Sequence, residues 1–332
     1  MEKIRQHIVD TYEKRFKEIP SRVEELKRGV SEKLILRIIS PGKQVIGIYN
    51  RNLKENRAFL EFTKAFSSVN LKIPEILHIE KGYELYFISN AGRNTLFDYI
   101  RTGPRREYLL RLYRMALRDL IDFQFYGRDL INLRYCYETK YFDKSQILFD
   151  IKRFYKYFVT KFLNAEFDIS ERKISEIISP KILGRNNFFM YRDFQPRNIV
   201  KNRQNLYYLD YQSGRIGPPQ YDLASFLYSG SIDVTPSERK ELVHYYYLKS
   251  NKKLHDNDEK FVDGFEYFAL LRLMQVLGSY CYSGFERGMY ETMSKIPKAV
   301  KNLNTIVVQE SELNRLIGFV NESYLTRISK RR

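Results

Sequence analysis

The spacing of apolar residues changes along the chain and predicts three successive kinds of structure. Near the start, apolar side chains recur every four residues among charged ones. This spacing predicts an amphipathic helix within residues 1–20 and is not that of a signal peptide. Its apolar positions are Ile4, Ile8, Tyr12 and Phe16. Residues 21–90 then carry short β-branched runs, whereas residues 91–332 carry mostly helical spacing. The pattern predicts a strand-rich lobe joined directly to a helical lobe.

Turn residues predict how the strands of the first lobe pair. Residues 34–39 and 45–49 predict two strands joined by a type II turn, because Pro41 and Gly42 occupy the central positions that this turn requires. The segment 53–66 then places its large apolar side chains on one helical face. We therefore expect one helix to follow the first pair of strands.

A second hairpin completes the predicted sheet, and helices follow it. Residues 73–79 and 83–88 predict two strands that pair across a Lys-Gly turn. Helical periodicity then covers residues 95–101, 106–125, 144–165 and 221–327, interrupted by a short strand-forming segment at 186–210. No internal repeat or low-complexity stretch is found in the sequence.

Composition narrows the class of protein. The 332 residues include 43% hydrophobic residues and two cysteines, Cys136 and Cys281, which lack metal-ligand spacing. This composition fits a packed globule rather than a disordered chain. No apolar run approaches the length that spans a bilayer. We therefore expect a cytoplasmic protein without a membrane partner.

The formal net charge of +17 favours anionic ligands such as nucleotides. The basic residues are scattered, however, and neither a clustered basic stripe nor a nucleic-acid-binding module is found, so no nucleic-acid partner is expected. The 27 Tyr and 23 Phe fit an aromatic core, with stacking platforms for bases as the alternative.

One segment carries the pattern of phosphoryl-transfer chemistry. An apolar strand leads into Asp193, four residues separate Asp193 from Asn198, and a later strand leads into Asp210. Phosphoryl transfer needs a carboxylate that accepts the proton of the attacking hydroxyl, and oxygen ligands for Mg²⁺ on the nucleotide phosphates. The spacing of Asp193 and Asn198 is that of a kinase catalytic loop, with Asp210 in the place of the metal-binding Asp. A chance match within an Asp- and Asn-rich hairpin is the alternative.

The chain resembles the aminoglycoside phosphotransferase and choline kinase-like family, and in particular its bacterial branch of cell-wall amino-sugar anomeric kinases. The resemblance extends in order over roughly residues 20–305. It rests on residues 45–50, 55–56, 191–198, 209–212, 217–218, 221–225, 271–272 and 275–280. It implies an α+β, bilobal protein-kinase-like fold, with a small antiparallel β-sheet N-lobe that binds nucleotide and a mainly helical C-lobe.

The resemblance also implies roles for the polar residues of the catalytic segment. Asp193 would be the catalytic base, and Arg192 beside it would be a second catalytic residue of the loop. Asn198 and Asp210 would hold Mg²⁺. Asp222 would support the catalytic loop from behind, although an N-cap at the start of its own helix is the alternative.

Departures from the family pattern affect the phosphate-binding residues. The strand that should carry a phosphate-binding lysine has the sequence Ile-Gly-Ile at residues 46–48. Lys33 and Arg37 are therefore the candidates for this cation, with Glu55 as the candidate ion-pair partner. Exposed positions on a strand or a helix are the alternative for all three residues.

The remaining expected contacts lie in three separate segments. Gly29 and Ser31 would approach a phosphate from a reduced glycine-rich loop. Ser89 and Asn90 belong to the segment that joins the lobes and would line the nucleotide pocket. A late helix carries three residues that either face a substrate or pack, namely Arg272, Gln275 and Tyr280.

These observations predict an enzyme that uses Mg²⁺ and transfers the γ-phosphate of ATP to an alcohol group of a small molecule, with GTP as the alternative nucleotide. The expected acceptor is an N-acetylated amino sugar; an aminoglycoside or another small alcohol is the alternative. A nucleotide-binding pseudokinase is a further hypothesis, because Tyr191 replaces the loop histidine and Tyr211 and Gln212 replace Phe and Gly after Asp210. A protein kinase is disfavoured, since no long activation loop follows Asp210.

Overall fold

The computed structural model describes residues 2–26, 33–184, 187–254, 261 and 264–329 of the chain. The predicted architecture is confirmed: a small antiparallel sheet forms the first lobe, and helices form most of the second. Among the described residues, no helix is both long and apolar enough to cross a membrane.

The sheet of the first lobe contains five antiparallel strands. They are β1 (Arg22–Glu25), β2 (Leu34–Ser40), β3 (Lys43–Tyr49), β4 (Ile76–Ile79) and β5 (Leu85–Ser89), arranged in the order β1-β2-β3-β5-β4. Both predicted hairpins are present, β2 with β3 and β4 with β5. Gly42 has a φ of +75°, as the turn between β2 and β3 requires. Strand β1 was not predicted and adds to the free edge of β2.

Helix α1 (Glu2–Phe16) covers one face of this sheet. Its buried Ile8 and Tyr12 pack on residues that include Phe87 of β5. Gly47 on β3 makes room for the helix, since a Cβ there would lie 2.7 Å from Ile8 Cγ2. The amphipathic helix expected near the start therefore serves to cover the sheet.

Helix α2 (Leu53–Ser67) packs on the opposite face of the sheet and contacts the second lobe. Its N-cap is Asn52, whose side chain accepts a hydrogen bond from the N–H of Glu55. Phe59 stacks on Tyr86 of β5 and on Tyr211 of the second lobe, with ring centroids 5.4 and 5.2 Å apart. Buried residues of both lobes consequently form one continuous hydrophobic core.

The described helices of the second lobe surround two small sheets. They are α3 (Leu96–Ile100), α4 (Arg106–Leu130), α5 (Lys144–Arg153), α6 (Glu171–Ile182), α7 (Gln220–Leu227), α8 (Pro236–Leu254), α9 (Phe265–Arg287), α10 (Ile296–Leu303) and α11 (Ser311–Ser329). Helix α5 continues as a π-helix, Phe154–Leu163, where the sequence predicted a regular helix. Gly278 of α9 crosses close to this junction, because a Cβ there would lie 2.7 Å from the Phe154 backbone nitrogen.

The two small sheets hold the catalytic segment in place. One pairs β7 (Phe188–Met190) with β10 (Arg215–Gly217), and the other orders β6 (Asn94–Thr95), β8 (Ile199–Asn202) and β9 (Asn205–Tyr208) as β6-β8-β9. The catalytic loop therefore runs from the end of β7 to the start of β8. The metal segment leaves the end of β9 and passes to β10.

Candidate active site

The catalytic loop, residues 191–198, is a tight connection whose backbone is unusual at its start. It ends in a short 3₁₀ turn, Pro196–Asn198, and the Asn198 N–H donates to the Gln195 carbonyl at 2.9 Å. Arg192 has a φ of +80°. Such a conformation costs a non-glycine residue roughly 1–3 kcal/mol and persists only where neighbouring structure enforces it.

Asp222 on α7 enforces this conformation. Its two carboxylate oxygens accept the backbone N–H groups of Tyr191 at 2.7 Å and Arg192 at 2.8 Å. The Gln124 side chain donates a third hydrogen bond at 3.3 Å. Burial raises the pKa of Asp222 to about 6, because desolvation outweighs the hydrogen bonds that lower it. Asp222 does not cap its own helix, whose N-cap residue is Pro219.

The carboxylate of Asp193 is held by three side-chain donors. Arg272 Nη2 donates to Oδ1 at 2.9 Å, while Gln195 Nε2 and Asn198 Nδ2 donate to Oδ2 at 2.7 and 3.2 Å. A carboxylate offers about four lone-pair positions, so one position on Oδ1 remains for a further donor. The side chain is 34% exposed, which leaves that position accessible.

Asp210 lies next to Asp193, with Asn198 between them. Asn198 Nδ2 donates to Asp210 Oδ2 at 3.4 Å, and Gln212 Nε2 donates to Oδ1 at 2.6 Å. Desolvation raises the pKa of Asp210, Lys33 counteracts this, and the charge of Asp193 raises it further. Two neighbouring carboxylates, of which Asp210 is desolvated, favour a bound cation.

Lys33 and Glu55 form an ion pair beside Asp210, with Lys33 Nζ 2.6 Å from Glu55 Oε1. Gln212 Nε2 donates to Glu55 Oε1 at 3.1 Å, and Asn50 Nδ2 donates to Oε2 at 3.0 Å. Lys33 directly precedes β2, and Glu55 lies in the first turn of α2. The chain before β2 thus supplies a cation that β3 lacks.

Arg37 lies elsewhere, which departs from the phosphate contact expected of it. Its guanidinium pairs with Glu24 of β1 at 3.2 Å and donates to the carbonyl of Gly92 at 3.2 Å. Arg37 therefore fastens the connection between the lobes to the sheet.

The other expected nucleotide contacts have local partners or fall outside the described residues. Ser89 Oγ accepts the backbone N–H of Glu75 at 2.9 Å. Asn90 Nδ2 donates to Gln44 at 2.8 Å, and its side-chain oxygen accepts a backbone N–H two residues later. Both side chains thus shape the connection between the lobes. Gly29 and Ser31 lie outside the described residues.

The side chain of Arg192 contacts residues of the surrounding helices. Its guanidinium donates to the Tyr221 hydroxyl at 3.1 Å and pairs with the buried Asp150 at 3.4 Å. The Arg192 side chain thus anchors the loop to α5 and α7, and a catalytic role of this residue stays a prediction.

A small pocket opens beside Asp193. Tyr280 and Arg272, two of the expected substrate residues, line it together with Gln195, Ser225, Tyr228 and Lys295. Gln275, the third, accepts a hydrogen bond from Arg272 Nη1 at 2.8 Å and donates to Ser279. Ser225 and Lys295 were not predicted. Ser225 gives no signal as a small residue in an apolar helix, and Lys295 is distant from the loop in sequence.

The two tyrosines that depart from the family pattern connect the site to its surroundings. The Tyr191 hydroxyl donates to the carbonyl of Leu209, which precedes the metal segment's Asp210, at 2.5 Å. The hydroxyls of Tyr211 and Thr63 share a hydrogen bond of 2.5 Å. The catalytic loop, the metal segment and α2 are therefore bonded to one another through these substitutions.

Curated relatives of the chain are kinases. An N-acetylmuramate/N-acetylglucosamine kinase of Neisseria meningitidis serogroup B is 23% identical over 271 residues, which cover 80% of this chain and 78% of that protein. A protein of the same name from Pseudomonas aeruginosa is 24% identical over 270 residues, covering 78% of this chain and 76% of that protein. No protein-family model matches the chain.

Solved structures resemble the chain over nearly its whole length. Spectinomycin phosphotransferase APH(9)-Ia, in complex with ADP and spectinomycin, has a TM-score of 0.60 at 12% identity, covering 96% of this chain and 98% of that one. The fold is that of the aminoglycoside phosphotransferases. Amicoumacin kinase hAmiN, in complex with AMP-PNP, Ca²⁺ and Ami, has a TM-score of 0.61 at 10% identity, covering 94% of this chain and 96% of that one. The family resemblance and the kinase class expected from the sequence are confirmed.

Proposed function

We propose that the chain is an ATP-dependent kinase that phosphorylates an N-acetylated amino sugar at its anomeric hydroxyl. The observation that carries this proposal is the arrangement of Asp193, Asn198 and Asp210 in one hydrogen-bonded group. Support for the acceptor comes from the relatives, which are named for N-acetylmuramate and N-acetylglucosamine.

Asp193 is the proposed general base. Its remaining Oδ1 position accepts the proton of the sugar hydroxyl while that oxygen bonds to the γ-phosphorus of ATP. The bond between the γ-phosphorus and the oxygen bridging to the β-phosphate breaks, and ADP leaves with that electron pair. Arg272 holds the carboxylate in place at 2.9 Å, so its orientation is fixed before the acceptor arrives.

Asp210 and the amide oxygen of Asn198 are the proposed protein ligands for Mg²⁺. Mg²⁺ prefers hard oxygen ligands and takes several of them from water and nucleotide phosphates. The Asn198 amide now turns its nitrogen to Asp210, so ligation requires a half-turn of its terminal torsion. The bound ion would neutralise charge on the nucleotide phosphates.

Lys33 is the proposed partner of the nucleotide phosphates. Its pairing with Glu55 and its effect on Asp210 place its charge next to the proposed metal ligands. A lysine paired with a helical glutamate is the arrangement that kinases use to hold phosphates.

The proposal is tested by incubating the purified protein with Mg·ATP and either N-acetylglucosamine or N-acetylmuramate. Phosphorus NMR should then show a product phosphate coupled to the sugar's H1. Kanamycin serves as the comparison acceptor, and its phosphorylation in the absence of sugar turnover would contradict the proposal.

Replacing the proposed base separates chemistry from binding. Asp193→Asn should lower kcat by roughly 10²–10⁴-fold while leaving Mg·ATP affinity nearly unchanged, because the amide keeps the shape but cannot accept the proton. Asp168→Asn, at an exposed residue paired with Arg315, is the matched control. Full turnover by the Asp193 variant would remove this residue from the mechanism.

A further inference from the structure

Two cationic side chains lie beside the pocket next to Asp193, and the proposed chemistry uses neither. Lys295 lines the pocket, with Nζ 5.3 Å from the centroid of the Tyr280 ring. Arg197 belongs to the catalytic loop, and its guanidinium lies 3.6 Å from the centroid of Phe97 on α3. The two cations are close enough that the charge of Arg197 acts on Lys295.

These two cations differ from the other cations of the site. The others are each paired with a carboxylate: Lys33 with Glu55 at 2.6 Å, Arg192 with Asp150 at 3.4 Å and Arg272 with Asp193 at 2.9 Å. Within the described ranges, neither Lys295 nor Arg197 has a carboxylate at ion-pair distance. The pocket therefore has positive charge that the described protein does not neutralise.

This arrangement is unfavourable in the free protein. Burial, followed by the charge of Arg197, lowers the pKa of Lys295, while the carboxylates of Asp193 and Glu291 oppose this effect. Asp193 already accepts three side-chain hydrogen bonds, and Glu291 is exposed. An anion in the pocket would offset the repulsion between the two cations.

A second, independent feature of the same pocket is a polar atom that a ligand or a water would complete. The Ser225 side chain is 2% exposed, and its hydroxyl has no hydrogen-bond partner among the described residues. Ser225 lines the pocket together with Gln195 and Tyr228. A buried hydroxyl without a partner costs free energy unless a ligand or water completes it.

We propose that Lys295 and Arg197 bind an anionic substituent of the acceptor, a carboxylate or a phosphate, while the Ser225 hydroxyl bonds a neutral polar group of the same molecule. The inference rests on the proposed function and adds a preference to it. Among amino sugars, acidic ones are the better substrates. Lys295 and Arg197 determine specificity, and neither takes part in the proton transfer.

The test compares three acceptors that differ in one substituent. N-acetylglucosamine is neutral, N-acetylmuramate adds a carboxylate, and N-acetylglucosamine 6-phosphate adds a phosphate. Lys295→Met should lower kcat/KM for the preferred anionic acceptor by roughly 10- to 100-fold, since a hydrogen bond to a charged group is lost. The change should appear in KM, and the loss with N-acetylglucosamine should be smaller, because this acceptor carries no anionic group.

Two further variants control for charge and folding. Lys301→Met changes an exposed lysine of α10 outside the pocket and should preserve the ranking of the three acceptors. Lys295→Arg keeps the charge and should retain most of the preference. Ser225→Ala should weaken neutral and anionic acceptors equally, because the hydroxyl serves a group that they share.

Each other outcome overturns the inference. An equal loss of kcat with all three acceptors would mean that Lys295 acts on the transferred phosphoryl group. An unchanged ranking in Lys295→Met would remove the residue from recognition. If the wild type turns over N-acetylglucosamine but prefers neither anionic sugar, the inference fails and the proposed function stands. If the wild type turns over none of them, both fail.

Discussion

Asp193 and Asp222 carry the same chemical group, and their surroundings give them opposite uses. Asp193 is partly exposed, and its three described hydrogen-bond donors leave one lone-pair position of Oδ1 open. Asp222 is wholly buried, and its oxygens accept hydrogen bonds from backbone N–H groups of the catalytic loop. The Asp193 carboxylate can therefore contact an acceptor, whereas the Asp222 carboxylate stabilises the conformation of the loop.

Acid should inactivate the protein through Asp222. Its pKa of about 6 in the folded chain lies above the ~3.9 of an exposed aspartate. As the pH falls through 6 the carboxylate takes up a proton, and its hydrogen bonds to the Tyr191 and Arg192 N–H groups weaken. We expect kcat/KM to fall below about pH 6 for this reason.

Asp222→Asn provides the control for this pH profile. The variant should be less active above about pH 6, because an amide presents one acceptor oxygen to two N–H donors, and it should lack the acid limb. An unchanged limb in the variant would assign the titration to another group. The stability contribution of Asp222 has the opposite sign: the folded state binds its proton more tightly than the unfolded state, so unfolding free energy falls as pH rises from about 4 to 6.

At the scale of elements, the sequence predicted those helices and strands whose formation depends on residues close together in the chain. The two hairpins and α2 follow from turn residues and apolar spacing within a few residues, and the structure confirms them. The π-helix after α5 could not be predicted this way, because local spacing gives no information about the close approach of Gly278 to its first residue. Strand β1 likewise depends on the free edge of β2.

The candidate site likewise has one part that the sequence predicts and one part that it does not. The loop carrying Asp193 and Asn198 is one short segment, so its spacing is visible in the sequence. The pocket beside it is assembled from α7, α9 and the turn before α10, which meet only in the folded chain. Ser225 and Lys295 therefore carry no sequence signal. Arg37 was a phosphate candidate because it lies on the first hairpin strand. Its partner is Glu24 on the neighbouring strand β1, which was not predicted.

Adding a single Cβ atom at Gly47, where α1 contacts the sheet, should lower the free energy of unfolding. A Cβ at Gly47 would lie 2.7 Å from Ile8 Cγ2 and 3.1 Å from Phe87 Cε1, and overpacking of this kind costs typically about 1–3 kcal/mol. Urea unfolding of Gly47→Ala should show that loss. Gly318→Ala on α11, where an added Cβ meets nothing within 4 Å, should be neutral or stabilising.

A double variant shows whether the contact itself is responsible. Ile8→Ala removes the atom that an added Cβ would meet, so Gly47→Ala should cost less in that background than in the wild type. Equal costs in both backgrounds would locate the strain elsewhere.

At the scale of the whole molecule, the proposed nucleotide site contains residues of both lobes. Gln212 of the metal segment donates to Asp210 and to Glu55 of α2, which also pairs with Lys33. A nucleotide bound there would contact two lobes that are already bonded to each other. The site therefore needs no large rearrangement to bring these groups together.

Calorimetry with Mg·ATP should rank the proposed metal ligands. Asp210→Ala should abolish the magnesium-dependent part of nucleotide affinity, and Asn198→Ala should reduce it less, because a neutral amide binds a hard cation more weakly than a carboxylate. Titration with ATP in the presence of EDTA should give similar affinities for both variants and the wild type. Equal Mg·ATP affinity in the wild type and Asp210→Ala would contradict the assignment.

The aromatic stack of Tyr86, Phe59 and Tyr211 crosses the boundary between the lobes within one shared core. Neither lobe can lose its tertiary structure without exposing apolar surface of the other. We therefore expect a single endotherm on heating, with calorimetric and van't Hoff enthalpies in agreement. Two resolved transitions would show that the lobes melt independently. If the lobes instead unfold together, a first lobe expressed alone should lack a fixed tertiary structure and should not bind nucleotide.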